Sequence, residues 1–91
     1  MQPNNFHADP ELKRLYWHSR RGMLELDLLL VPFARDCLAT LTVEQREAYR
    51  QLLAEEDQDL YVWLTRREVP ADATLEAAVA LVLAHGSRFD L

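Results

Sequence analysis

Glycine is nearly missing from this chain: Gly22 and Gly86 are the only two among 91 residues. That scarcity excludes the glycine-rich loops that cradle phosphates, and with them the dinucleotide fingerprint. Cysteine is scarcer still. Cys37 is the only one, so it has no partner for an internal disulfide and cannot build a multi-cysteine zinc site. Set among Phe33, Ala34 and Leu38, it reads as a small buried hydrophobe, with no convincing histidine pairing along the sequence. His7, His18 and His85 are scattered and show no ligand spacing, so no metal site is expected. The acids Glu55, Glu56, Asp57 and Asp59 lack the central glycine of a calcium loop and read as a solvated, capped turn. Ser19 and Ser87 sit at ordinary helix ends and support no hydrolytic triad.

Positive charge is also in deficit. Ten Lys and Arg face fifteen Asp and Glu, for a net charge of −5. This balance argues against a nucleic-acid partner and against an anionic membrane surface, although Arg14, Arg20 and Arg21 crowd one region. Long apolar runs are missing too: the burst Leu28-Leu29-Leu30-Val31 is closed by Pro32 and Arg35, so no direct membrane insertion is expected. Met1 to His7 lacks the basic and apolar regions of a signal peptide. The expected location is cytoplasmic.

What the chain does contain is a hydrophobic fraction of 49% arranged at helical spacing. Asp9-Pro10-Glu11 is a helix start, with a side-chain cap, a proline in the first turn and an acid placed well for the dipole. Leu12, Leu15 and Tyr16 form its stripe, and Gly22 separates it from a second helix over about Met23 to Leu38. Met23, Leu26, Leu30, Phe33 and Cys37 make a core seam there. Leu24, Leu28, Val31 and Leu38 make another apolar row, so this helix is expected to be buried on much of its circumference, leaving Glu25, Leu29, Pro32 and Asp36 outward. Asp27 falls on the opposite side from Glu25, towards the core. Pro32 removes a hydrogen bond and should kink the helix. Thr42 and Gln45 form a capping box for a third helix that carries Tyr49, Leu52 and Leu53 inward. Asp57 reads as the cap of a short fourth helix with Leu60, Tyr61, Trp63 and Leu64. Asp72 or Thr74 caps a last helix through Leu75, Ala78, Val79, Val82 and Leu83, with His85 near its negative end and Gly86 as a stop. The expected fold is all-α, a small bundle of about five short helices in a single domain over residues 1–91. Its core spans about 9–86, and the segments outside that range should be looser.

Function concentrates at Ser19 to Asp27, where two arginines, a glycine and two acids meet at a helix junction. Arg20 and Arg21 could pair with Glu25 and Asp27 simply to lock the corner, with Gly22 serving only the turn. Alternatively, Gly22 permits close backbone approach by a partner while the arginines supply bidentate donors. The combination favours docking, and Trp17, one turn before Arg21, flanks the same patch. Trp17, Trp63, Tyr16, Tyr49 and Tyr61 also suit either a stacking surface or, more commonly, core and rim packing.

The run Trp17-x-x-Arg20-Arg21-Gly22-Met23-x-Glu25-Leu26-Asp27, with Leu30 and Pro32-Phe33, resembles the FAD assembly factor family, the succinate dehydrogenase flavinylation factors. Leu52-Leu53-x-x-x-Asp57-x-Asp59-Leu60-x-x-Trp63-Leu64 is a second segment typical of that family, and the likeness covers about residues 10 to 85. The resemblance implies a non-enzymatic five-helix protein with no cofactor of its own. Such a protein binds the flavoprotein subunit of succinate dehydrogenase, and for some relatives that of fumarate reductase, and promotes covalent attachment of FAD to a histidine of that subunit. By similarity, Arg21, Gly22 and Glu25 belong to the contact surface, flanked by Arg20, Met23, Asp27 and Trp17. Proteins resembling this family have also been labelled antitoxins, which would make sequestration of a toxin the function. A helix-turn-helix DNA binder is a further reading that the net acidity opposes.

Overall fold

The structure, a computed structural model, describes residues 9–86. The expectation of looser segments before Asp9 and after Gly86 lies outside the described residues. Within them the chain forms α1 (Pro10–His18), α2 (Leu24–Cys37), a 3-10 turn (Leu38–Thr40), α3 (Val43–Leu53), α4 (Asp57–Leu64) and α5 (Ala73–Gly86), with no strand among them.

Local chemistry sets most of these boundaries. Asp9 Oδ1 accepts from the Glu11 and Leu12 amides, which α1 cannot satisfy internally, and Pro10 occupies the first helical position. At α3, Thr42 Oγ1 accepts from the Gln45 amide at 3.0 Å while Gln45 Oε1 accepts from the Thr42 amide at 2.9 Å, the reciprocal capping box. For α5 the cap is Asp72, whose carboxylate accepts from the Thr74 and Leu75 amides. The start of α4 differs from expectation. Glu56 stands at the cap position with no side-chain bond, and Asp57 is the first helical residue. Its carboxylate is used elsewhere, as described below. α2 runs through Pro32 as one element.

The buried side chains form one cluster. Leu12 and Leu15 come from α1, Leu26, Leu30, Phe33 and Ala34 from α2, Tyr49, Leu52 and Leu53 from α3, Leu60 and Leu64 from α4, and Ala78, Val79 and Val82 from α5. α3 lies along α5, and α2 touches α1, α4 and α5. The second apolar row of α2 departs from expectation. Leu24 and Leu28 are 68% and 64% exposed, while Leu29 and Pro32 on the supposedly outward strip are half-buried. The buried arc of α2 is therefore narrower than its composition suggests. It centres on Leu26, Leu30 and Phe33, because the neighbouring helices cover that side alone. Leu29 turns towards the end of α5, where its Cδ2 lies 3.2 Å from the position a Cβ on Gly86 would take.

At the centre, Tyr49 packs its ring against Phe33, with centroids 5.0 Å apart, and its hydroxyl meets that of Ser19. Ser19 is fully buried at the end of α1, and its Oγ also donates to the Leu15 carbonyl at 2.8 Å. Burial pushes the Tyr49 phenol well above the ordinary tyrosine range. This buried polar pair fixes where α1 ends against α3. Tyr49→Phe deletes one side of the pair and leaves Ser19 bonded to Leu15. It is expected to cost about 1 kcal/mol of unfolding free energy, read by urea denaturation.

Candidate docking site

Between α1 and α2 the backbone turns through Arg20, Arg21 and Gly22. Gly22 has φ +87°, which side-chain-bearing residues rarely adopt, and a Cβ built there would meet nothing within 4 Å. Glycine is thus needed for the backbone conformation and not for clearance within the chain. Asp27 closes the turn from the other side. Its carboxylate accepts from the Arg21 amide at 2.7 Å and the Gly22 amide at 3.3 Å. These bonds place a negative charge in the first turn of α2, whose cap residue Met23 makes no side-chain bond. Asp27 is half-buried, and its carboxylate caps the turn amides instead of entering the core as its helical phase had suggested.

Arg21 binds its own fold. Its Nε donates to Asp57 Oδ1 at 2.8 Å, its Nη1 to the Leu53 carbonyl at 2.9 Å and the His18 carbonyl at 3.2 Å, and its Nη2 to the Glu55 carbonyl at 2.9 Å. The side chain is only 11% exposed. The guanidinium thereby satisfies the last carbonyl of α3, where the helix leaves acceptors without partners, together with that of Glu55 in the connector just beyond it, and links them to the first residue of α4 and the last of α1. Pairing of the arginines with Glu25 and Asp27 is not what forms. Arg21 reaches across 36 positions to Asp57, so its donors shape the surface instead of projecting from it. The acids at 55–59 are correspondingly more than a solvated turn. Partial desolvation of the otherwise exposed His18 imidazole, with Arg21 nearby as a second cause, lowers its pKa from the ordinary range.

Around this frame stand the outward groups. Trp17 is 56% exposed and packs edge-on against Tyr16, with centroids 5.6 Å apart. The Arg20 guanidinium lies over both rings, 5.5 Å from the Trp17 centroid and 5.9 Å from that of Tyr16. Glu25 is exposed, and Leu24 and Leu28 continue the same side of α2 at a spacing of four. The site therefore joins a cation on an aromatic ledge, a carboxylate and an apolar flank. Met23 is half-buried against the core. The two exposed leucines were missed in the sequence because periodicity identifies an apolar row without saying whether a neighbour covers it. The five aromatics do not share one stacking surface: Tyr49 is fully buried, and Trp17 is exposed.

The family described as "Flavinator of succinate dehydrogenase" matches residues 13–86. The chain belongs to this family. It is 53% identical over 75 residues to the FAD assembly factor SdhE of Pseudomonas syringae pv. syringae, covering 82% of this chain and 89% of that protein. The SdhE of Pseudomonas aeruginosa is 52% identical over the same length and coverage. That of Photobacterium profundum is 40% identical over 83 residues, 88% of this chain and 91% of its own. The junction and the Asp57 segment both lie inside the matched range, and in this flavinator-family chain the Arg21–Asp57 bond joins them physically.

Among the described residues no group of three or more His, Cys, Asp or Glu is arranged to hold a metal, and no helix is long and apolar enough to cross a membrane. The structure does bring together one pair that the sequence analysis left apart: Cys37 Sγ and His85 Nδ1 lie 3.4 Å from each other. Forty-eight positions separate them, so local spacing carries no signal of the contact.

Arg21→Ala should lower unfolding free energy by about 2–3 kcal/mol, since several charge-assisted bonds are lost and the freed carbonyls are only partly rehydrated. Arg21→Lys should recover little of it, because one ammonium cannot span Asp57 and the two carbonyls. Gly22→Ala, strained by its positive φ, should cost about 1 kcal/mol. Urea unfolding followed by circular dichroism checks all three.

Proposed function

We propose that this chain is an assembly factor that binds the flavoprotein subunit of succinate dehydrogenase and promotes covalent attachment of FAD to it. One observation carries the reading beyond family membership. The polar turn at Arg20 to Glu25 is bordered by Trp17, Leu24 and Leu28, large apolar side chains left exposed by their own fold. Exposed apolar side chains beside a charged turn suit a protein partner.

In this proposal the partner performs the chemistry. Its histidine bonds to the methyl carbon of the flavin, which requires alignment of the two and stabilisation of charge developing on the ring. The chain contributes binding energy that holds the flavoprotein in the competent arrangement. Trp17, Arg20, Gly22, Met23 and Glu25 form the contact surface, extended by Leu24 and Leu28. Arg21 and Asp27 hold the turn in shape. FAD itself is held by the partner. In this chain, the groove of about 410 Å³ between α3 and α5 is lined by Glu44, Gln45, Ala48, Thr74, Ala77 and Leu81 among others, with no cation to receive a pyrophosphate. Service to fumarate reductase and a cytoplasmic location belong to the same proposal.

The test compares covalent flavin on the partner subunit with and without this chain, read as in-gel flavin fluorescence. Glu25→Ala and Leu28→Asp should each weaken binding roughly tenfold, about 1.4 kcal/mol, and reduce the flavin signal while the circular dichroism spectrum stays unchanged. Normal binding and normal flavin attachment by both variants would refute the surface. Retrieval of a toxin in place of a flavoprotein from cell extract would favour the antitoxin reading.

A further inference from the structure

At the other end of α2, about 20 Å from the docking turn at 1.5 Å per residue, a second constellation is assembled that flavoprotein docking does not use. Cys37 Sγ lies 3.4 Å from His85 Nδ1, and the opposite ring nitrogen, Nε2, lies 3.2 Å from Asp36 Oδ2. The imidazole side chain is 5% exposed. Phe33 meets it edge-on, with centroids 6.1 Å apart, and so restricts its rotation. A packing role alone is a poor account of this ring. Burying an imidazole costs desolvation that an aliphatic side chain would avoid, yet here one nitrogen lies within hydrogen-bond reach of a thiol, and the other lies at ion-pair distance from a carboxylate oxygen, without hydrogen-bond geometry to it. That is the order in which a base is oriented by an acid and serves a nucleophile. Asp36 remains a carboxylate: the hydrogen bond from Arg35 chiefly, and His85 in addition, hold it below the usual carboxylate range. Cys37 is half-exposed and lines a cavity of about 210 Å³ with Phe33, Thr40, Leu41, Gln45 and His85. Among the described residues, Arg35 and Asp36 are the charged groups beside this ring, and Thr40 and Gln45 are uncharged.

We propose that Cys37, served by His85 and Asp36, is a nucleophilic thiol that reacts with small hydroperoxides, making this chain oxidisable at one defined site. The Cys37 proton passes to His85 Nδ1, and the thiolate attacks one peroxide oxygen. An S–O bond forms as the O–O bond breaks, and the departing oxygen takes the proton from His85 and leaves as water or alcohol. Sulfur loses two electrons to the peroxide and becomes a sulfenic acid. This inference is independent of the docking proposal, since no residue is shared.

The experiment treats the full chain with hydrogen peroxide in the presence of dimedone and follows the Cys37 adduct by intact mass, with Cys37→Ser as the blank. Alkylation by iodoacetamide is measured in parallel as a function of pH. The folded chain should react at least several-fold faster near neutral pH than the urea-unfolded chain. His85→Gln should slow it roughly tenfold and Asp36→Asn roughly threefold, both shifting the alkylation profile to higher pH while circular dichroism is retained. Should His85→Gln fail to fold, the exposed Asp36→Asn decides alone. A folded thiol no faster than the unfolded one, or a rate and pH profile unaltered in the folded variants, overturns the proposal.

Discussion

The Arg21 guanidinium is the interaction on which the shape of this bundle's working end depends. It reaches the end of α1, the end of α3 and the start of α4 at once. Helix ends leave acceptors without partners, and short helices have many ends per residue, so a bundle of this kind must satisfy several in a small space. One planar cation with five donors does this more economically than separate caps could. The consequence is structural as much as energetic, because the turn bearing Gly22 is held to α3 and α4 rather than hanging from α1 and α2 alone.

Seen this way, the junction divides its labour. Gly22 supplies the positive φ, Asp27 gathers the two amides before α2, and Arg21 anchors the corner to the rest of the fold. Trp17, Arg20 and Glu25 are presented outward from that frame, next to Leu24 and Leu28. Rigid presentation lowers the ordering entropy that association has to overcome, so a pre-shaped turn loses less of its binding energy to ordering itself. The Ser19–Tyr49 pair extends the frame into the core, so the Arg21 corner and the hydrophobic cluster are parts of one packed unit.

The cysteine end of α2 follows a different logic. There the packing of α5 against α2 carries His85 onto Cys37, while Asp36 on the neighbouring position meets the same ring. The two ends of α2 thus present different chemistry: exposed leucines and a carboxylate at one, and a thiol beside an imidazole at the other.

Read from the residues alone, the caps at Asp9 and Thr42, a cap at Asp72 or Thr74, the stop at Gly22 and the seam through Leu26, Leu30 and Phe33 were legible, because each depends on neighbours within one helical turn. Between Asp72 and Thr74, the structure chose Asp72. The family resemblance was legible for a related reason: its two segments are fixed local strings. Three features were not. Periodicity marks a row of leucines but not which side a neighbouring helix covers, so Leu24 and Leu28 were placed inside when they lie in solvent. Charge proximity in sequence suggested partners for Arg21 among Glu25 and Asp27, whereas its guanidinium binds Asp57 and the carbonyls of Leu53, Glu55 and His18. Nothing near Cys37 pointed to His85. The sequence by itself determined where helices begin, end and carry apolar side chains, since those are short-range properties of backbone bonding and spacing. Only the tertiary structure decided which apolar face remained open, which acid received the arginine and which base met the thiol. Those outcomes depend on how whole helices pack, and packing brings together residues that no local pattern connects.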